Sequence, residues 1–288
     1  MRRGDVSELS GSVGLGAWTG FGVLTMVVVG GDGASLFLDD RLHSWSISHR
    51  PEVAVAVARA LTATGTGVIP YVLAALAGVL VGRTARHRLL GAALGVACLA
   101  SGQLLRYGVM TLVHRPRPPQ HDWQTHASGW SFPSGHSTTA TLTAGLLIVA
   151  LSAVAPRAGT PLRVVVGCWG ALVGLTRVYL GVHWFTDVLA GWLFALGWLG
   201  VWLCAAARWL PGRFIRGTAF GSGPDMVSGS ASGAGAASRA DTEPGPHNPR
   251  TGPAADSRTH PGPGSRSGSR PAPRVLSRFV LSGRGPTG

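Results

Sequence analysis

Hydrophobic positions along this chain do not alternate with polar ones at short period. They gather into six blocks, at about residues 13–31, 66–82, 89–113, 136–155, 162–180 and 185–207, nearly free of charge. Blocks of this length suit helices that cross a hydrocarbon layer. The expectation is an all-α fold, a six-transmembrane-helix bundle. Residues 32–65 are mixed: Asp39, Asp40 and Arg41 precede "PEVAVAVARALTATG", which is too short to span and suits an interfacial or partly inserted helix. The polar start before the first block carries no small-residue cleavage pattern, so the first block reads as an uncleaved helix.

After about residue 211 the pattern ends. "GSGPDMVSGSASGAGAASRADTEPGPHNPR" and the residues beyond it are Gly, Ser, Pro, Ala and Arg, with few large apolar residues. Such a segment buries too little surface to offset its ordering entropy and reads as disordered. The division expected is a membrane domain over 1–210 and a tail over 211–288. A short "RVLSRFVLSGR" near the end is a weak candidate for touching a membrane surface.

Charge then orients the bundle. The chain has 25 basic residues against 12 acidic ones, and every basic residue is arginine. The segments 1–11, "GRTARHR" (82–88), "PRAGTPLR" (156–163) and all after Arg208 carry arginine, and the two internal loops among them have no acid. By the positive-inside rule these segments, with both termini, are cytoplasmic. A balance of +13 also raises nucleic acid as a partner, but the arginines flank apolar blocks, where anionic headgroups are the better match. The three cysteines, Cys98, Cys168 and Cys204, lie in apolar blocks at no metal-ligand spacing and read as packing residues. Arg115, Arg117 and Arg177 break the rule, because they fall on the outer side.

Three stretches on that outer side carry the chemistry: "HRPRPP" (114–119), "PSGH" (133–136) and "TRVYLGVHWFTD" (176–187). Arginine forks match phosphate oxygens and stay charged, which suits Arg117 and Arg177, with Arg115 as a further candidate. "PSGH" opens the fourth block, so Ser134 and the amides of Gly135 and His136 can cradle an anion at a helix start, and His136 adds a proton donor. His183 and Asp187 are four apart and share one helical face. A carboxylate on one imidazole nitrogen fixes the tautomer and leaves the other nitrogen free to attack.

Each residue also has a plainer reading. His136 suits a water-facing helix end, and His183 with Asp187 suits a structural bond in a bundle. Arg177 suits an interfacial anchor and Arg117 a topology signal. His114, His121, Asp122 and His126 match no metal motif and read as solvent-facing loop residues. Trp123, Trp130, Phe132 and Trp184 read as interfacial aromatics.

The set Arg-Pro, Pro-Ser-Gly-His and Arg-x5-His-x3-Asp resembles the type 2 phosphatidic acid phosphatase superfamily, over roughly residues 13–207. The resemblance implies phosphoryl transfer through a phosphohistidine, without metal or other cofactor. It implies His183 as nucleophile, Asp187 as its orienting partner and His136 as general acid and then base. It implies Arg117, Ser134, Gly135 and Arg177 as phosphate ligands. Two positions depart from the pattern. The family's first motif begins with Lys seven residues before its Arg, and that position is Met110; Arg106 and Arg115 stand as candidate substitutes. The family's Ser before the second Arg is Thr176. The function expected is hydrolysis of a lipid phosphomonoester or diphosphate at the extracytoplasmic face of a cell membrane, with undecaprenyl diphosphate, phosphatidic acid and phosphatidylglycerophosphate open as substrates. A phosphotransferase and a non-catalytic membrane scaffold are the alternatives; oligomeric state is left open.

Overall fold

The computed structural model describes residues 3–209, with side chains from residue 11. The proposed tail over 211–288 and its "RVLSRFVLSGR" stretch lie outside the described residues. Among the described residues the regular elements are all helical: α1 (Arg3–Gly30), α2 (Phe37–Ser48), α3 (Glu52–Ala63), α4 (Val68–Val81), α5 (Ala85–Val113), α6 (Gly135–Val154), α7 (Thr160–Tyr179) and α8 (Phe185–Trp209), with a single 3-10 turn at Gln120–Asp122.

Among the described residues five helices are long and apolar enough to cross a membrane: Gly11–Gly30 of α1, then α5, α6, α7 and α8. A sixth span arises only if α3 and α4 are taken together, as a pair bent by 51°. This differs from the expectation of one helix over 66–82. The 14 residues of α4 rise about 21 Å, short of a hydrocarbon layer of about 30 Å. The break falls at Gly65 and Gly67, the latter at φ +70, a conformation that interrupts a helix. The short helix expected in the mixed segment is α3, and α2 is an additional short helix that the mixed segment did not announce.

Chemistry follows from how the helices touch. A Cβ added to Gly78 or Gly91 would strike the facing backbone of α5 or α4, and one added to Gly95 would strike the Ala74 carbonyl. Small residues therefore let these two helices meet backbone to backbone, the usual solution where lipid offers no hydrophobic drive for association. Phe21 of α1, Phe194 of α8 and Phe132 pack in one cluster with Val28 and Ala190. Phe132 is fully buried, which corrects its reading as an interfacial aromatic: it anchors the start of α6 into the bundle. Large apolar side chains such as Leu104, Leu112, Val68 and Val164 remain exposed on the outer faces, where a bilayer would contact them.

One end of the bundle is closed by α2, the loop 114–134 and the α7–α8 turn. Gly181 sits at φ +74, and a Cβ there would lie 2.6 Å from the Asp122 carbonyl oxygen, so glycine lets the loop and the turn close on each other. Arg50 Nη1 donates to that same carbonyl at 2.7 Å, and Gln124 N donates to Leu180 O at 2.9 Å.

Candidate active site

Each of the three motif-bearing stretches arrives on a different helix end. The α7–α8 turn delivers His183, which is 3% exposed. Asp187 lies in the first turn of α8 and is fully buried. Its Oδ2 faces His183 Nδ1 at 3.3 Å and accepts from Trp184 N at 2.9 Å. A carboxylate suits the positive end of a helix, and here it also holds the imidazole. With Nδ1–H directed at Asp187, the lone pair on Nε2 points the other way, to Arg117 Nη1 at 2.9 Å. Burial first, and then the charges of Arg117 and Arg177, hold the His183 imidazole well below its ordinary pKa. Neutral imidazole is the nucleophilic form.

Ser134 caps α6. Its Oγ accepts from Ser137 N at 3.4 Å and from Ser137 Oγ at 2.9 Å, the bonding expected of a helix cap. Its backbone N–H donates to Asp187 O at 3.0 Å, which ties the α6 start to the α8 start. Gly135 follows, and a Cβ there would lie 3.4 Å from the Arg106 guanidinium. The absence of a side chain lets Arg106 lie over the helix N-terminus. His136 is half-buried, with Nε2 3.5 Å from Thr66 Oγ1 at the α3–α4 break.

Arg106, Arg117 and Arg177 converge on this helix start, and among the described residues none of them forms an ion pair with a carboxylate. Arg177 is 3% exposed; its Nη1 donates to Thr62 Oγ1 at 3.3 Å and its Nε has no partner. Arg106 Nε is likewise buried without a partner, and its Nη1 reaches only the Met110 sulfur, at 3.4 Å. Arg117 is held by loop carbonyls: Nε by Gly129, Nη2 by Ser128 and Trp130, and Nη1 by Val182. Burial lowers the Arg117 pKa from its ordinary value, the mark of a cation short of solvent. Arg106 and Arg177 thus keep unspent donors beside a helix N-terminus, and with the fully bonded Arg117 they form a cationic arrangement suited to an anion.

Arg115 is elsewhere. It is fully buried, and all five of its N–H groups are engaged: Nε by Gly33 O, Nη1 by Thr186 Oγ1 and Asp187 Oδ1, and Nη2 by Ala34 O and Asp39 Oδ2. This corrects its candidacy as a phosphate ligand. Sequence reading also missed Asp39, fully buried in α2, which no motif marks. The one signal was an acid beside an apolar stretch, expensive unless partnered. Asp122 is a further correction: its carboxylate is 15% exposed and accepts from His43 Nε2 at 3.0 Å, so it is an α2 anchor and not a free loop acid. His114, His121 and His126 are exposed, and no group of three or more metal-ligating side chains occurs among the described residues.

Residues 89–211 match the family model of the PAP2 superfamily. Phosphatidylglycerophosphatase B of Bacillus subtilis (strain 168) is 42% identical over 77 residues, covering 26% of this chain and 37% of that protein. Lipid A 1-phosphatase of Rhizobium etli is 35% identical over 121 residues, 39% of this chain and 48% of that protein. Undecaprenyl-diphosphatase of Sulfolobus acidocaldarius is 37% identical over 87 residues, 30% of this chain and 35% of that protein. The chain thus spans less than half the length of each of these curated relatives. The crystal structure of a transmembrane PAP2-type phosphatidylglycerolphosphate phosphatase from Bacillus subtilis superposes with a TM-score of 0.56 at 23% identity, over 68% of this chain and 94% of that one. That likeness is one of fold.

Proposed function

We propose that this multi-pass membrane protein, which carries a PAP2 superfamily domain over residues 89–211, hydrolyses a lipid phosphomonoester or diphosphate at the His183 site. The observation that carries the reading is the gathering of Arg106, Arg117 and Arg177 without a carboxylate partner at the start of α6, against the His183–Asp187 pair. A phosphoryl group supplies the charge that this cluster lacks. Its non-bridging oxygens take the free donors of Arg106 and Arg177, the Gly135 and His136 amides, and the Ser134 hydroxyl, whose own proton is not used in the helix cap.

Arg117 has a double part. Its Nη1 now donates to the nitrogen that must attack. A phosphate oxygen entering beside it takes that donor, which releases the Nε2 lone pair and neutralises the oxygen in one exchange. Nε2 then forms the N–P bond in line as the P–O bond to the lipid breaks. His136 gives the leaving oxygen its proton; a neighbouring phosphate anion favours the protonated form of that imidazole. Water attacks phosphorus next, His136 takes its proton, the N–P bond breaks, and inorganic phosphate leaves. No step calls for a metal ion.

The substrate class follows from the setting. The relatives are named for phosphatidylglycerophosphate, lipid A and undecaprenyl diphosphate, all phosphorylated lipids. A site at one end of apolar helices meets a headgroup while the acyl or prenyl chain stays in the bilayer. The arginine-bearing loops 82–88 and 156–163, at the ends of α5 and α6 away from the site, favour an extracytoplasmic site by the positive-inside rule.

The experiment is phosphate release by the purified full chain in detergent with EDTA present. The substrates are phosphatidylglycerophosphate, phosphatidic acid and undecaprenyl diphosphate, each tested beside His183→Ala. Release that requires His183 and ignores EDTA is expected. Equal release by the folded His183→Ala protein, or none from any of the three by wild type, would refute the reading.

A further inference from the structure

The His183–Asp187 pair has a support that comes from outside the matched segment 89–211. Asp39, Arg115 and Asp187 are all fully buried, and Arg115 lies between the two carboxylates, at 2.8 Å from Asp39 Oδ2 and 2.7 Å from Asp187 Oδ1. Asp39 is also bound to the first turn of α8 itself. Its Oδ1 accepts from Thr186 N at 2.8 Å and its Oδ2 from Thr186 Oγ1 at 2.7 Å. It closes its own helix as well, accepting from Leu36 N at 3.1 Å. Gly33, at φ +74, brings the backbone before α2 against Arg115, and its carbonyl accepts from Arg115 Nε at 3.3 Å.

We infer that Asp39 is a positioning residue for the reaction: through Arg115 and Thr186 it fixes Asp187 in the register that orients His183. The inference rests on the reading of His183 as nucleophile. Its physical core is the sharing of one guanidinium by two carboxylates. Arg115 gives one Nη to each acid. Asp187 Oδ1 is thereby occupied, and Oδ2 is left for His183 Nδ1 and Trp184 N. Remove the charge of Asp39, and both Nη groups are free to fork onto Asp187 in the bidentate geometry that arginine favours. Oδ2 is then drawn from the imidazole, and the tautomer that exposes Nε2 loses its hold. The two bonds to Thr186 act in the same direction, because Thr186 precedes Asp187 and sets where its Cα lies. Asp39 itself touches no substrate. The α2 segment therefore completes a site whose three chemical motifs lie elsewhere in the chain.

The test uses the full chain in detergent and whichever of the three lipid phosphates wild type cleaves fastest. For Asp39→Asn, kcat is expected to fall on the order of 10–100-fold, the range carried by the outer partners that orient a metal-bound histidine, here applied to a histidine oriented in the same way by a carboxylate. KM should stay within about threefold, since no phosphate contact is lost. In an Asp187→Asn background the same change should cost little, because its target is already gone. A purely structural Asp39 would instead lower the melting temperature, leave kcat of the folded protein unchanged, and give no coupling with Asp187. That result, or equal losses in both backgrounds, overturns the inference. If Asp39→Asn does not fold, Thr186→Val, which keeps all three buried charges and removes the Asp39 Oδ2 bond to the first turn of α8, is measured in its place. It is expected to fold and to lose kcat in the same range, and wild-type kcat there overturns the inference. Wild type without His183-dependent release removes the underlying reading and this inference with it. Normal wild-type release with a silent Asp39→Asn removes the inference alone.

Discussion

Arg117 Nη1 lies 2.9 Å from His183 Nε2, on the nitrogen opposite the one that faces Asp187. The guanidinium therefore occupies the ground that a phosphoryl group must enter. Its other donors hold the loop carbonyls of Ser128, Gly129, Trp130 and Val182. Arg117→Ala should lower kcat/KM by about 10²–10³, the usual cost of one lost oxyanion donor. Arg117→Lys keeps the charge but not the fork, and should recover only part of the loss. Steady-state kinetics on both proteins check this; full activity in Arg117→Lys would mean that charge alone suffices.

Burial and two flanking arginines hold His183 below its ordinary pKa, and this has a stability consequence. In the unfolded chain a histidine takes up a proton below about pH 6.5. The folded chain resists, so below that pH the unfolded state binds more protons and stability falls. The contribution is present above the unfolded pKa and is lost as pH drops. The melting temperature of wild type should thus fall more between pH 7.5 and 5.5 than that of His183→Ala. The other histidines are present in both proteins, so the difference between them reports on His183. A larger fall in His183→Ala would contradict the depressed pKa.

Arg106 reaches the α6 start across Gly135, and Met110 gives it only a sulfur contact. Arg106→Gln should lower kcat/KM by about 10²-fold, as loss of a phosphate cation does. Met110→Lys restores a cation one helical turn away and should recover activity in the Arg106→Gln background, while adding little to wild type. Comparison of the four proteins measures it. Failure of Met110→Lys to rescue would show that the site is built around Arg106 in a way a neighbouring cation cannot replace.

Some of this site was legible in the sequence and some was not, for physical reasons. The spans were legible because a bilayer requires long uncharged blocks, and α5, α6, α7 and α8 match them closely. The α6 start was legible because a serine cap and a glycine before a histidine act locally. His183 and Asp187 were legible as a pair from their spacing of four, although His183 lies in the turn before α8 and meets Asp187 from there and not along one helical face. Arg115 and Arg117 look alike in "HRPRPP", but one faces a buried acid and the other the histidine. That choice is made by Asp39, 76 positions from Arg115, and no local pattern encodes it. Phe132 was misread for the same reason: the aromatic is local, while Phe21 and Phe194, which bury it, are not. The α3–α4 break was missed because Gly65 and Gly67 interrupt a helix without interrupting the apolar composition.

In the proposed reaction His183 Nε2 becomes covalently bonded to phosphorus. The direct measurement is to mix the full chain with a lipid phosphate labelled at its terminal phosphorus, quench in alkali within the first turnover, and map the label. Label on His183, stable to alkali and lost in acid, and absent from His183→Ala, is the expected result. Phosphate release at full rate with no label on His183, or label on another residue, would contradict the account.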